Sequence, residues 1–192
     1  NIGSNFAYCV LIETHGSNNE HDMQKLEAFV EEAMTQQVVA DGVMAQDLSQ
    51  LYEMWEIRES CNPVVASQGR VYKYDLSIPI SQFDDFVCDI RQRIQETHRD
   101  AIVVNWGHVI DGNIHLNVTT PGVFEKDPEL ESRLEPYIFE TVMRRRGSIS
   151  AEHGLGQCKN EYLKKCKDET SLHMMQSIKE LFDPNGIMNP GK

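Results

Sequence analysis

The residues with the clearest chemical potential are two histidines, His108 and His115, which flank the pair Asp111-Gly112. An Asp-Gly pair between two strand-like segments predicts a β-hairpin with a two-residue loop. In that hairpin His108 lies directly opposite His115, with Cβ atoms about 5 Å apart. The period of two in a strand places Asn117 on the same face. Two imidazoles and an amide on one polar face suggest part of a metal site, although a lone histidine in a hairpin is more often structural.

A second chemically active pair, Glu152 and His153, stands in the small, glycine-rich segment 150–156. The segment needs neither side chain for packing, so Glu152 can supply a third metal ligand and His153 a base. Two histidines and a carboxylate with open positions suit zinc, or a similar divalent ion, acting as a Lewis acid. The same set also fits a metal-dependent hydrolase that activates water, and in a non-catalytic binding module these polar residues would be incidental.

The composition limits what such a site can serve. A chain of 192 residues with 40% hydrophobic and 25% charged residues fits one globular domain, 1–192, with a sizeable core. The formal net charge of -12 argues against binding to nucleic acid or to an anionic membrane surface, because both reward clustered lysine and arginine. An anionic substrate therefore needs local positive charge. Arg58 and Lys73 are by themselves ordinary residues, and any role for them depends on their context.

Cysteine usage and apolar runs bear on the compartment. Five scattered cysteines without a Cys-x-x-Cys pair argue against a disulfide framework or a zinc knuckle and favour a reducing compartment. No apolar run approaches the roughly 20 residues of a membrane span, and no targeting segment is visible. The chain begins with Asn1 rather than Met and soon enters an apolar run at 6–13. We therefore expect it to be part of a longer polypeptide.

The elements that must position these residues alternate between strand-like and helix-like patterns. The apolar run at 6–13 predicts a strand covered on both faces, and a second strand is predicted at 71–80, with Pro79 at its edge or exit. Apolar residues at helical spacing predict further helices, at 24–37, 47–59, 81–94, 130–142 and 172–182. Together with the hairpin, this pattern predicts an α+β fold with a largely antiparallel sheet, helices on one face and a helical C-terminal segment.

Several motifs, taken in order, resemble a known family. They are Cys-Val-Leu-Ile-Glu-Thr at Cys9, Ile-Arg-Glu at Ile57, Val-Tyr-Lys-Tyr-Asp-Leu-Ser-Ile-Pro at Val71, the hairpin, Ser-Ala-Glu-His-Gly-Leu-Gly at Ser150 and Phe-Asp-Pro-Asn-Gly-Ile-Met-Asn-Pro-Gly-Lys at the end. No single motif suffices, but their common order resembles the C-terminal part of the FAD-linked 2-hydroxy acid dehydrogenases over essentially the whole chain.

The resemblance implies a ferredoxin-like cap domain that closes over FAD, with the FAD held mainly by an N-terminal domain absent from this chain. It implies a divalent metal, zinc by preference, with His108, His115 and Glu152 as ligands. It also implies that His153 is the catalytic base and that Asn189 lies near the flavin. The substrate contacts that it implies are Arg58, Asn62, Lys73, Asn117 and His153.

The reaction implied by the resemblance is the FAD-dependent, metal-assisted oxidation of D-2-hydroxyglutarate to 2-oxoglutarate in the mitochondrion, with a flavoprotein as electron acceptor. D-lactate or another D-2-hydroxy acid stays open as the substrate, and so does a homo-oligomeric state. Two departures from the family pattern bear on these expectations. Ile110 stands where a glycine is usual, which disfavours a positive φ in the hairpin loop. Asn62 stands where close relatives have threonine, which leaves the choice of substrate open.

Overall fold

The computed structural model describes residues 6–191 and consists of helices and one antiparallel sheet. The chain divides into two compact units, the first up to Val64 and the second from Val65. Among the helices in the described range, none combines the length and the apolar content required to cross a bilayer.

Helices form the regular structure described for the first unit. They are α1 (Asn19–Thr35), α2 (Leu48–Glu59) and α3 (Cys61–Gln68), the last of which runs across the division between the units. The side chains of Asn18 and Asp47 each accept a hydrogen bond from an amide in the first turn of α1 and α2, respectively. These caps satisfy amides that have no partner within the helix. The two helices predicted in this part of the sequence are confirmed.

The strand predicted at residues 6–13 is wrong. This segment has no regular secondary structure, and its side chains are exposed. Its last residue, Glu13, accepts a hydrogen bond of 2.7 Å from the indole N–H of Trp55 on α2. The prediction failed because an apolar run supplies the side chains of a covered strand but not the neighbouring strand that its backbone must pair with.

A three-stranded antiparallel sheet organises the second unit. Its strands are β1 (Gly69–Ser77), β2 (Ile102–Trp106) and β3 (Asn113–Pro121). β3 is the central strand, between β1 and β2. Residues opposite one another form rows across the sheet, of which two concern the site: Lys73, Asn117 and Val104 in one row, and Asp75, His115 and Trp106 in the next.

Two helices pack with the sheet into a single core. They are α4 (Phe83–Gln95) and α5 (Pro128–Arg144). Because side chains alternate along a strand, every second side chain of β1 and β3 points toward these helices. The apolar faces of the helices pack against those side chains and complete the core. The side chains buried there include Leu76, Phe86, Ile90, Leu116, Ile138 and Phe139. The predicted α+β class, with an antiparallel sheet and packed helices, is confirmed.

A single bridge beyond α5 extends the sheet. Ser77 and Ser148 exchange two backbone hydrogen bonds, with N···O distances of 2.9 and 2.8 Å. The segment after α5 therefore lies at the outer edge of β1, where a ferredoxin-like βαββαβ sheet has its fourth strand. Gly147 permits this approach because a Cβ atom there would lie 2.1 Å from the carbonyl oxygen of Ser77.

The hairpin between β2 and β3 differs in register from the prediction. His108 exchanges backbone hydrogen bonds of 3.2 and 3.1 Å with Asn113, and His115 lies opposite Trp106. The predicted pairing of His108 with His115 is therefore wrong by two residues. Since side chains alternate with a period of two, a shift of two residues leaves both histidines on the same face.

The loop of this hairpin has four residues, 109–112, rather than two. It contains a 3₁₀ turn at Val109–Asp111, and Gly112 alone of the four has a positive φ, at 63°. The two-residue loop suggested by Asp111-Gly112 would need positive φ at both residues. Gly107 precedes the loop, and a Cβ atom there would lie 2.2 Å from the carbonyl oxygen of Asn113. A side chain at position 107 would therefore force the strands apart.

The C-terminal segment is helical, as predicted. It contains α6 (Asn160–Cys166) and α7 (Glu169–Phe182). The Asp183 carboxylate, which follows α7, accepts hydrogen bonds of 2.9 and 3.0 Å from the amides of Ile187 and Met188. These bonds fix the turn that leads to Asn189.

Candidate metal and substrate site

The two histidines lie side by side at one end of the sheet. His115 projects from β3, and His108 stands at the base of the hairpin loop, diagonal to it across the strand pair. Their ring centroids are 5.6 Å apart. The side chain of His115 is 19% exposed and that of His108 is 47% exposed. The pair therefore borders solvent on the His108 side.

Glu152 reaches both imidazoles from the loop after the Ser148 bridge. Its Oε1 is 3.8 Å from Nε2 of His108, and its Oε2 is 3.5 Å from Nε2 of His115. The ligand atoms of the three residues all lie within 4.8 Å of one another. Two tetrahedral zinc ligands at bond lengths of about 2.0–2.1 Å lie roughly 3.3 Å apart. The donor set thus suits a divalent ion, and the ligand atoms would have to close by up to about 1.5 Å to reach that spacing.

Asp75 is the residue that the sequence reasoning missed. Its carboxylate is almost fully buried and accepts hydrogen bonds from Nδ2 of Asn113 at 2.8 Å and from the amides of Glu152 and His153 at 2.7 and 3.0 Å. Burial raises the pKa of Asp75, but the bonds from the two amides and from Asn113 outweigh it, so the pKa lies below its usual value. Asp75 is therefore ionised at neutral pH.

One available signal could have identified Asp75. It lies two positions after Lys73 in a predicted strand, so the strand period places both side chains on one face. In the structure Asp75 lies directly opposite His115. The sequence therefore placed Asp75 on the same face as Lys73, whereas neither its pairing with His115 nor its bond to a loop 77 positions away could be predicted from it.

Lys73 and Asn117 lie opposite one another in the next row of the sheet. Asn117 is buried, and its Nδ2 donates a hydrogen bond of 3.0 Å to the carbonyl oxygen of His115. Lys73 is exposed. A cation and an amide therefore stand one row from His115, on the face that carries it.

His153 stands beside this cluster. Its ring centroid is 6.2 Å from that of His115, and its side chain is 67% exposed. Its Nδ1 lies 3.8 Å from Oδ2 of Asp75, which already accepts the amide of His153. The His153 imidazole is thus open to solvent, while the backbone that carries it is held by Asp75. Both properties suit a group that exchanges protons with a ligand.

The remaining predicted site residues lie on other elements. Arg58 is in the last turn of α2, and Asn62 is in the first turn of α3, both in the first unit. Asn189 is exposed and has a positive φ of 46°, a conformation that asparagine tolerates better than most residues. Next to it, the carbonyl oxygen of Pro190 accepts a hydrogen bond of 3.0 Å from Nε2 of Gln157.

Comparison with known proteins places the chain in a family. Residues 2–192 match the family model described as FAD linked oxidases, C-terminal domain. A Schizosaccharomyces pombe protein, named provisionally as a mitochondrial D-lactate dehydrogenase, is 45% identical over 96% of this chain and 36% of its own length. The mitochondrial D-2-hydroxyglutarate dehydrogenases of Danio rerio and Arabidopsis thaliana are 42% and 41% identical, over 96% and 100% of this chain and 34% and 33% of their own lengths.

The chain therefore spans about a third of the length of these curated relatives. The resemblance seen in the ordered motifs is confirmed, since the family model and the relatives both cover nearly the whole chain. This chain belongs to the FAD linked oxidases, as a C-terminal domain of that family.

Proposed function

We propose that this chain is the metal- and substrate-binding part of an FAD-dependent enzyme that oxidises D-2-hydroxyglutarate to 2-oxoglutarate. The observation that carries the proposal is the convergence of His108, His115 and Glu152 in a domain of the FAD linked oxidase family. The names of the Danio rerio and Arabidopsis thaliana relatives support the choice of substrate.

The three ligand residues would hold a divalent ion, with zinc the best match to two imidazoles and a carboxylate. Bound there, the ion would act as a Lewis acid on the substrate's 2-hydroxyl and one carboxylate oxygen and so lower the pKa of the hydroxyl. His153 would accept the hydroxyl proton as the C2–O bond becomes a carbonyl. FAD would accept the hydride from C2. The proton and the hydride together balance the two-electron oxidation.

We assign carboxylate recognition to Lys73 and Asn117, which lie beside His115, and, by the family resemblance, to Arg58 and Asn62 of the first unit. Lys73 supplies an exposed positive charge one row away, and Asn117 beside it offers an amide. Arg58 can grip a carboxylate with two parallel hydrogen bonds, and Asn62 can add a further one. Such local positive charge reconciles a dianionic substrate with a chain of net charge -12.

The proposal extends to the rest of the protein. Because the relatives are about three times as long, the FAD would be held mainly by an N-terminal domain, with Asn189 of this chain near the flavin. The mitochondrial names of the relatives support a mitochondrial location. A flavoprotein would take the electrons onward, and assembly into a homo-oligomer belongs to the same proposal.

A second candidate substrate is D-lactate, which the name of the Schizosaccharomyces pombe relative favours. D-lactate has the same 2-hydroxy acid head but no distal carboxylate. It would therefore use His108, His115, Glu152 and His153 in the same way and leave the charge of Lys73 without a substrate partner.

The test uses the full-length flavoprotein. Element-resolved mass spectrometry should find about one divalent ion per chain, and chelation should abolish the oxidation of D-2-hydroxyglutarate until zinc is returned. Parallel assays with D-lactate decide between the two substrates. Full turnover in protein stripped of metal would refute the metal-assisted mechanism.

A further inference from the structure

We propose that Asp75 is the positioning residue that fixes the loop of Glu152 and His153 against the sheet, and so sets the third ligand and the base in place. This inference deepens the proposed function and rests on it. Asp75 itself touches neither substrate nor metal in this scheme and acts only through the backbone of its two neighbours.

Both carboxylate oxygens of Asp75 are used. Oδ1 accepts the side-chain amide of Asn113 on the neighbouring strand, and Oδ2 accepts the backbone amides of Glu152 and His153. Consecutive amides that share one oxygen fix both the position and the direction of the backbone at this point. The side chain of Glu152 must then leave the loop toward the histidines.

Asp75, Glu152 and His115 each contact the other two. Asp75 lies directly opposite His115 in the sheet. Glu152 is tied to Asp75 through its amide at 2.7 Å and approaches His115 through its carboxylate at 3.5 Å. The position of the third ligand relative to His115 therefore depends on the spacing of one strand pair, about 4.7–4.9 Å.

Burial explains why an ionised group suits this role. Asp75 is only 6% exposed, and a buried carboxylate is tolerated only when hydrogen bonds replace its water. The charge strengthens each of the three bonds. Within the loop itself, Ser150 Oγ donates to the carbonyl oxygen of Gly154, which shapes the loop but does not attach it to the sheet.

The experiment measures zinc affinity in the full-length protein by competition with a chromophoric chelator. Asp75→Asn keeps the size of the side chain but removes its charge, so that a single neutral amide oxygen replaces the two charged oxygens that accept the three bonds. Partners of metal ligands typically contribute 10- to 100-fold to metal affinity, and we expect a loss of about that size. Asp111→Asn, an exposed acid three residues from His108, removes the same charge and should leave the affinity within about twofold.

A double-mutant cycle separates positioning from general stability. If Asp75 acts through Glu152, then Asp75→Asn should change zinc affinity by less than about twofold in protein that already carries Glu152→Gln, whose amide oxygen is a weaker ligand that keeps the affinity measurable. An equal loss in both backgrounds would overturn the proposal. Should Asp75→Asn fail to fold, Asn113→Ala, which removes one of the three donors, should show a smaller loss with the same dependence on Glu152.

Hydrogen exchange provides a readout that does not need the metal. Peptides covering residues 150–155 should exchange roughly tenfold faster in Asp75→Asn, with peptides of α5 unchanged, because the two amide bonds lose the charge that strengthens them. Unchanged exchange would refute the anchor. If wild-type protein bound no zinc, the metal-assisted function would fail, and the exchange result would then decide by itself whether Asp75 holds the loop.

Discussion

The two faces of β3 are both largely buried, but one carries apolar side chains and the other carries polar side chains. The helix-covered face carries Ile114, Leu116 and Val118, none of which is more than 1% exposed. The other face carries polar side chains, which are Asn113, His115, Asn117 and Thr119. One strand therefore presents an apolar face to the helices and a polar face to the candidate site.

The two faces differ in the contacts that burial requires of them. Apolar burial is non-directional and scales with area, so the core face needs volume and little else. The polar face needs a partner for every donor and acceptor. Within residues 6–191, Oδ1 of Asn113 and Oγ1 of Thr119 are buried without a hydrogen-bond partner. In that range the polar face therefore keeps two buried acceptors without a protein partner, which the apolar face does not.

The largest expected effect is on the polar face. His115→Ala in the full-length protein should abolish zinc binding and dehydrogenation while leaving the fold intact, because a ligand is removed and no core contact is lost. Zinc content and circular dichroism measure the two outcomes. His173→Ala, an exposed histidine on α7, serves as the matched control and should retain zinc. Normal zinc content in His115→Ala would show that the polar face of β3 does not bind the zinc.

The apolar face should respond in the opposite sense. Leu116→Ala leaves a cavity at a fully buried position, and we expect a loss of about 2–5 kcal/mol in the free energy of unfolding. Denaturant titration measures this loss. Under conditions where the variant is folded, its zinc stoichiometry should equal that of the wild type. A parallel loss of zinc from folded protein would mean that the two faces are not independent.

A substitution at Lys73 tests the row of the sheet next to His115. Lys73→Ala should raise the KM for D-2-hydroxyglutarate roughly ten- to hundredfold, because a charge-assisted hydrogen bond contributes about 1.5–3 kcal/mol. Zinc content should not change, and the KM for D-lactate should move much less. Steady-state kinetics with both substrates measures the contrast. A fall in zinc occupancy would reassign Lys73 to the metal site.

The smallest effect is expected at the tip of the hairpin loop. Ile110 is 96% exposed, and Ile110→Ser should change the free energy of unfolding by no more than about 0.5 kcal/mol. Zinc affinity should also be unchanged, because the loop is set by the 3₁₀ turn and Gly112. Thermal unfolding and chelator competition check both. A large loss would show that Ile110 shapes the site.

The grouping of His108 with His115 was predictable because it depends only on alternation. A hairpin register can slip by two residues and still present the same side chains on the same face. The loop length was not predictable in the same way, since Asp-Gly serves several loop types and the four-residue form depends on which residue takes a positive φ. Gly112 alone does so here.

Contacts between distant segments could not be predicted from the sequence. The helices α1, α2, α4, α5 and α7 follow from local apolar spacing. The strand predicted at residues 6–13 failed because its existence depended on a pairing partner, and Asp75 was missed because its partners are amides of a distant loop. Both errors concern backbone groups, whose bonding leaves no mark on residue type.

The bond between Asp75 and the amide of Glu152 joins positions 77 residues apart, whereas the two histidines meet within one hairpin. Closing the longer loop costs more chain entropy and depends on contacts that must form first. The two histidines can therefore come together early in folding, whereas Glu152 joins them only when the second unit is complete. If the three residues bind an ion as proposed, the ion would stabilise the complete unit over partly folded chains.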